Sequence, residues 1–289
     1  MAYPDRGWII PSWLAGIISI GTPIVVYLAA LVRIRCLWDA TASIMGSIAS
    51  ILLASLFQVI VKQLVGGFRP YFLQVCMPDP HRLARDASLN RTGLNAVGYR
   101  QLMYSTDVCT QPNAARLKNA ITSFPSGHST AAFAGFGFLF FWLNAKLKVW
   151  ADHRPAFWKL GLTMLPLVAA TVFACILTVD AAHNWYDVAG GSVIGVVGAL
   201  AGYRWSYAAI WDWRFNHVPL RQREPFDYAA AESMARNHGL TLGRAAGWGG
   251  GGEVVSSGTS SSALVAAAAP LAVAQRRRGH GGQAADEAA

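Results

Sequence analysis

Phe124–Pro125–Ser126–Gly127–His128 runs directly into Ser129–Ala145, STAAFAGFGFLFFWLNA, and no Asp, Glu, Lys or Arg interrupts that second stretch. Extended back to Ser126, it approaches the roughly 20 apolar residues that a membrane-spanning helix needs. Trp13–Val32, Ala40–Val61 and Leu160–Val179 read the same way, and Val188–Tyr203 continues past Arg204 to Trp211. Apolar runs of this length without alternation do not suit a membrane β-barrel. The expected fold is therefore all-α, a polytopic membrane bundle of five spanning helices.

Composition agrees. The 289 residues are 54% hydrophobic and only 13% charged, against about 25% charged in an ordinary soluble domain. Trp13, Trp38, Trp158, Trp185 and Trp211 stand near span ends, where amphipathic rings anchor helices at the interface. The first run lacks a basic leader and a small-residue cleavage site, so it reads as a span and not as a cleaved signal. The net charge of +9 lies largely in span-flanking loops and a polar tail, which argues for topology determinants and against a nucleic-acid partner.

Lysine and arginine in short loops orient the bundle. Arg33 and Arg35 follow the first span, Lys146, Lys148, Arg154 and Lys159 the third, and Arg204, Arg214, Arg221 and Arg223 the fifth. The turn after the fourth span has none. The basic loops are expected to be cytoplasmic, which puts the long loop from about 63 to 125 and the 180–187 turn on the extracytoplasmic side. Asn90–Arg91–Thr92, a glycosylation sequon, falls in that outer loop. Cys76 and Cys109 fall there too, where a disulfide is permitted. Residues 1–214 form the expected membrane domain. Residues 215–289, with Gly247–Gly252 and Ser256–Ser262, read as a disordered cytoplasmic tail.

Three polar clusters then share the outer face. In the first, Lys62 and Arg69 are seven residues apart, nearly two helical turns, and can share one side if the helix continues to Pro70. Two cations there suit an anion, or they snorkel to the interface. In the second, Ser126 is a natural N-cap, Gly127 allows close backbone approach, and the helix start that follows attracts anions. His128 stands within reach of such an anion, or is incidental to a capping turn. In the third, His183 and Asp187 are four residues apart and share a face on a helix. The carboxylate can fix the tautomer and leave the other nitrogen nucleophilic, or the two are a plain interfacial pair.

The combination resembles the type 2 phosphatidic acid phosphatases, the lipid phosphate phosphatases related to vanadium haloperoxidases. Their pattern is K-x6-R-P, then P-S-G-H, then S-R-x5-H-x3-D. The similarity covers about residues 8 to 211, and the text around the motifs is most similar to fungal diacylglycerol pyrophosphate phosphatases. It implies a cofactor-free, metal-independent phosphomonoesterase acting on a membrane phospholipid. His183 would attack phosphorus, Asp187 would orient it, and His128 would serve as general acid and base. Lys62, Arg69, Ser126 and the Gly127 N–H would hold the phosphoryl oxygens.

Two positions depart from the family pattern. Ile176 and Leu177 stand where Ser-Arg opens the third block, so one phosphate-gripping arginine is missing. A slow enzyme, an unusual substrate or a phospholipid-binding relative without turnover are the expectations, with Leu177→Arg restoring rate under the first. The Lys block also ends the second span instead of the third, one N-terminal helix short of the usual six. The glycines at four-residue spacing, Gly191, Gly195, Gly198 and Gly202, are expected to pack helices closely.

Overall fold

The computed structural model describes residues 3–5, 7–79, 97–99, 102–104, 106–222, 224–228 and 238–242. Seven α-helices carry the described chain: α1 (Ser12–Ile34), α2 (Leu37–Val65), α3 (Phe72–Cys76), α4 (Ala114–Ala120), α5 (Gly127–Leu147), α6 (Phe157–Val179) and α7 (Trp185–Ser206). A two-stranded antiparallel ribbon, β1 (Val97–Tyr99) with β2 (Leu102–Tyr104), lies between α3 and α4. Five of the helices, α1, α2, α5, α6 and α7, are long and apolar enough to cross a membrane. The protein is a multi-pass membrane protein with the five spans expected.

The short connections fix the arrangement. Arg35, in the left-handed region at φ 55°, closes α1 with its N–H on Leu31 O, and α2 begins at once. Lys148 does the same for α5 at φ 54°. Alternation therefore gathers the start of α1, the end of α2, the start of α5, the end of α6 and the start of α7 at one end of the bundle. This end carries all three polar clusters.

Helix α5 is the hub. Its spanning window is 83% buried, against 28–33% for the other four. Phe138, Phe141 and Trp142 pack against Tyr27 of α1 and Tyr203 of α7, and Phe136 against Phe173 of α6. The outer helices instead turn Val25, Leu52, Leu56, Val168, Val172, Val193 and Val197 outward. This inverted pattern suits hydrocarbon as the solvent. Helices in lipid gain little from apolar burial and associate through close packing of small residues. The α7 glycines do this: a Cβ on Gly191 or Gly195 would stand 2.5 Å from Ser126 O or 2.6 Å from Thr130 O of α5. On Gly198 it would meet Ala54 Cβ at 2.7 Å, and on Gly202 the Ser50 Oγ at 2.0 Å, both of α2.

At the opposite end, two of the expected loop cations are buried. Lys146 pairs with Asp39 of α2 at 2.5 Å and donates to His217 O, and Lys148 donates to Asn216 Oδ1 at 2.8 Å. Burial, helped by neighbouring Lys146, holds the Lys148 ammonium down at about 6. Residues after α7 form this cap. Ala208 N–H bonds Val218 O, Leu220 N–H bonds Ser206 O, and Phe215, Asn216 and His217 are buried. The boundary expected at 214 thus falls inside a packed cap. Most of the tail lies outside the described residues, as do Asn90–Thr92.

Between α2 and α5 the chain builds a small separate core. Tyr71, Phe72, Val75, Val108 and Ala120 pack around Cys76, which is disulfide-bonded to Cys109.

Candidate active site

Two glycines shape the first cluster. Helix α2 ends at Val65 because Gly66 and Gly67 take φ 65° and 109°, a region other residues rarely adopt. The helix does not continue to Pro70, so Lys62 and Arg69 reach the site by different routes. Lys62 stays on the last turn, and its Nζ donates to Ser123 O at 3.4 Å and Pro125 O at 3.3 Å. Gln58, one turn earlier, donates from Nε2 to the same Pro125 carbonyl at 2.9 Å. Beyond the glycines the chain pairs with the segment before α5: Phe124 N–H bonds Gly66 O at 2.8 Å and Ser123 N–H bonds Gly67 O at 3.0 Å.

That pairing carries Arg69 over the site, where only 3% of it is exposed. Its Nε donates to Asn119 O at 2.8 Å and its Nη2 to Asn119 Oδ1 at 3.0 Å. Nη1 donates to Ala182 O at 2.9 Å and lies 3.3 Å from His183 Nε2. Four contacts hold the fork rigid, as anion recognition by a guanidinium requires.

The second cluster opens α5 after a cis Phe124–Pro125 bond. Ser126 occupies the N-cap position, but its hydroxyl does not cap; Oγ is buried without a partner among the described residues. Its backbone N–H instead bonds Asp187 O at 3.0 Å and ties α5 to α7. His128 is 9% exposed, and its Nε2 has no hydrogen-bond partner among the described residues.

His183 and Asp187 meet, though not on a shared helix face. His183 precedes α7, with its N–H on Leu177 O at 3.2 Å. Asn184 is the N-cap and Asp187 stands at N3, forming a capping box in which Asn184 N–H donates to Asp187 Oδ2 at 2.9 Å. The carboxylate so drawn back lies 3.6 Å from His183 Nδ1. Ser123 Oγ completes the group, donating to Asp187 Oδ2 and lying 3.3 Å from His183 Nδ1. Burial pushes the His183 imidazole down to about 4; the Asp187 hydrogen bond opposes this, and the Arg69 and Lys62 charges reinforce it.

These groups line a cavity of about 350 Å³. Gln58, Lys62, Arg69, His128 and His183 form its polar wall, and Ala15, Gly16 and Ala131 its apolar side. Ser126 and Asp187 lie behind that wall. A hollow of about 410 Å³ along α6, lined by residues such as Leu167, Val168 and Val179, carries none of the site residues. The two histidines, two cations and carboxylate singled out in the sequence are thus together. Gln58, Asn119, Ser123 and Trp8 were not foreseen, and Asp180 stood at the start of the third cluster without a role. For Ser123 a signal existed in its place beside the second motif; for the others no local pattern marks them.

A family model described as the PAP2 superfamily matches residues 43–211. Lipid phosphate phosphatase 1 of Arabidopsis thaliana is 30% identical over 72% of this chain and 58% of its own length. A PA-phosphatase related-family protein of Dictyostelium discoideum is 28% identical over 76% and 63%. Diacylglycerol pyrophosphate phosphatase 1 of Saccharomyces cerevisiae is 33% identical over 52% and 46%. The chain thus spans about 60% of the length of the first two of these relatives. No solved structure matches.

Proposed function

Because the chain belongs to the PAP2 superfamily, we propose that it is an integral-membrane lipid phosphate phosphatase, cleaving the phosphomonoester of phosphatidate-like or diacylglycerol-pyrophosphate-like lipids. One observation carries this reading. His183 presents Nε2 to a cavity that also holds Lys62, Arg69 and His128, while Asp187 and Ser123 face its Nδ1.

In the first step the Nε2 lone pair attacks phosphorus and the phosphorus–oxygen bond to the lipid breaks. His128 delivers a proton to the departing alkoxide or phosphate. In the second, His128 takes a proton from water, which attacks the phosphohistidine; the phosphorus–nitrogen bond breaks and phosphate leaves. Lys62, Arg69 and the Gly127 N–H at the start of α5 stabilise the charge on the phosphoryl oxygens. Ser126 supports this wall from behind. The lysine and arginine distribution supports an extracytoplasmic site and a cytoplasmic tail.

A second reading, a phospholipid-binding relative without turnover, is favoured by Leu177 in place of the family's arginine. The deciding experiment is phosphate release from phosphatidate and diacylglycerol pyrophosphate by purified protein in chelator, beside His183→Ala. Release well above the variant supports the enzyme; equal background from both would sink it. Labelling of single cysteines in sealed vesicles tests the sidedness.

A further inference from the structure

Trp8 precedes α1 and lies outside the three polar clusters, yet its ring stacks on His128, with centroids 5.0 Å apart and planes inclined by 28°. The Arg69 guanidinium sits 5.2 Å from the centroid of the same indole. The next residue, Ile9, donates its N–H to Asp180 Oδ2 at 3.0 Å. Asp180 closes α6 three residues before His183 and is 4% exposed. It is a buried carboxylate for which the two-step mechanism has no use.

The segment is fastened elsewhere as well. Tyr3 N–H bonds Pro70 O at 3.4 Å, Asp5 N–H bonds Gln74 Oε1, and the Asp5 carboxylate pairs with Arg116 at 2.7 Å. A chain tied at these points keeps Trp8 where it is.

His183 has a carboxylate to orient it; among the described residues His128 has none in contact. An acid–base imidazole needs a fixed ring plane, so that one nitrogen faces the reacting oxygen. Among the described residues, His128 Nε2 is the nitrogen without a partner. The charged groups facing it are Arg69 from the loop after α2, Lys62 from α2 and Asp180 from the end of α6.

We infer that the segment before α1 is the positioning apparatus of the acid–base histidine: Trp8 fixes the His128 ring plane, and Asp180 anchors Trp8 through Ile9. This rests on the hydrolase reading above and adds Trp8 and Asp180 as positioning residues.

A misplaced acid matters only where the leaving group needs a proton. Leaving-group release in the first turnover is therefore measured with dioctanoyl phosphatidate, an alkyl ester, and with p-nitrophenyl phosphate, whose phenolate departs unprotonated. Trp8→Ala is expected to slow the alkyl ester about tenfold and the aryl ester less than about threefold, with KM nearly unchanged, since positioned acid catalysis contributes about 10²–10⁴ in all. Trp8→Phe, which keeps a stacking ring, recovers most of the loss. Asp180→Ala, which removes the acceptor of the Ile9 N–H, gives the same leaving-group pattern more weakly, and serves if Trp8→Ala does not fold. Equal losses on both esters, or no loss, overturn the inference. So does faster turnover in Trp8→Ala, which would make the segment a plug. If the wild-type protein releases neither leaving group, the hydrolase reading fails and takes this one with it.

Discussion

Arg69 Nη1 lies 3.3 Å from His183 Nε2. A guanidinium has only donors, so Nε2 is the acceptor and the ring proton sits on Nδ1, toward Asp187 and Ser123. The nitrogen that would attack phosphorus is thus already unprotonated and pointed at a cation. A phosphoryl group entering the cavity would take that N–H for its own oxygens and free the lone pair as it arrives. Arg69→Lys cannot keep both Asn119 contacts, the Ala182 contact and this one. The hypothesis predicts a fall in kcat of about 10²–10³, measured as steady-state phosphate release. A fall below threefold would remove Arg69 from the transition state.

Asp187→Asn tests the tautomer. The Asn184 N–H, the Ser123 hydroxyl and His183 Nδ1 all face the one oxygen Oδ2, so an amide nitrogen in that place donates to Nδ1 and moves the ring proton to Nε2. Phosphohistidine formation, followed by acid-quench trapping of labelled phosphate, is expected to fall on the order of 10³–10⁴ with the fold retained. Ser123→Ala removes the contacts to Asp187 Oδ2 and His183 Nδ1 and should cost about 3–10-fold. If Asp187→Asn traps the intermediate at the wild-type rate, the carboxylate does not set the tautomer.

The ends of the spans were legible because long apolar runs and loop charges are local signals. They placed Lys62, His128, His183 and Asp187 at one membrane face before any contact was known. What the local pattern could not supply is how segments approach one another. Helix α2 stops at Gly66 for reasons of φ, and Arg69 returns over the site only because residues 66–67 pair with 122–124. Ser123 and Asn119 gain their roles from partners 50 or more residues away. Lys146 and Lys148 read as solvated loop charges, because nothing near them in sequence announces Asp39 and His217.

The His183 shift gives a pH signature. Its imidazole titrates near 4 in the fold, mainly through burial, against about 6.5 in an unfolded chain. Between those values the unfolded chain binds a proton that the folded one refuses. Stability therefore falls as pH drops through about 6.5 to 4 and is unaffected by this group above that window. The melting temperature in detergent should decline over this range, and less steeply in His183→Gln. Phosphohistidine formation should persist to about pH 5. An acid limb centred near 6.5 would mean that the ring is hydrated in solution.

Cys76 and Cys109 close a loop with a sequence separation of 33 beside the Arg69 segment. Loop-closure entropy over that length is worth about 3–4 kcal/mol. Paired Cys76→Ser and Cys109→Ser variants are expected to lose thermal stability and, because Tyr71 and Phe72 pack against the bridge, to lower kcat with it. An unchanged melting temperature would show that the small core stands without the bridge.

Leu177→Arg was expected from the family pattern to restore rate, and the packing reverses the expectation. Leu177 is 2% exposed and packs against Ala174, Val188 and Phe133 at the junction of α5, α6 and α7. It does not line the cavity. Its carbonyl accepts both the Ala182 and His183 N–H groups, so displacing this turn of α6 would move the nucleophile. An arginine here buries an unpaired charge in an apolar contact, the kind of change that typically costs several kcal/mol. The variant should therefore show lower yield, a lower melting temperature and no gain in turnover per folded molecule. The site has no vacancy at Leu177 for an arginine to fill, because Arg69 is already held by the Ala182 carbonyl in the same turn. A well-folded Leu177→Arg protein with turnover raised severalfold would show instead that the α6 end can rearrange to present the side chain to phosphate.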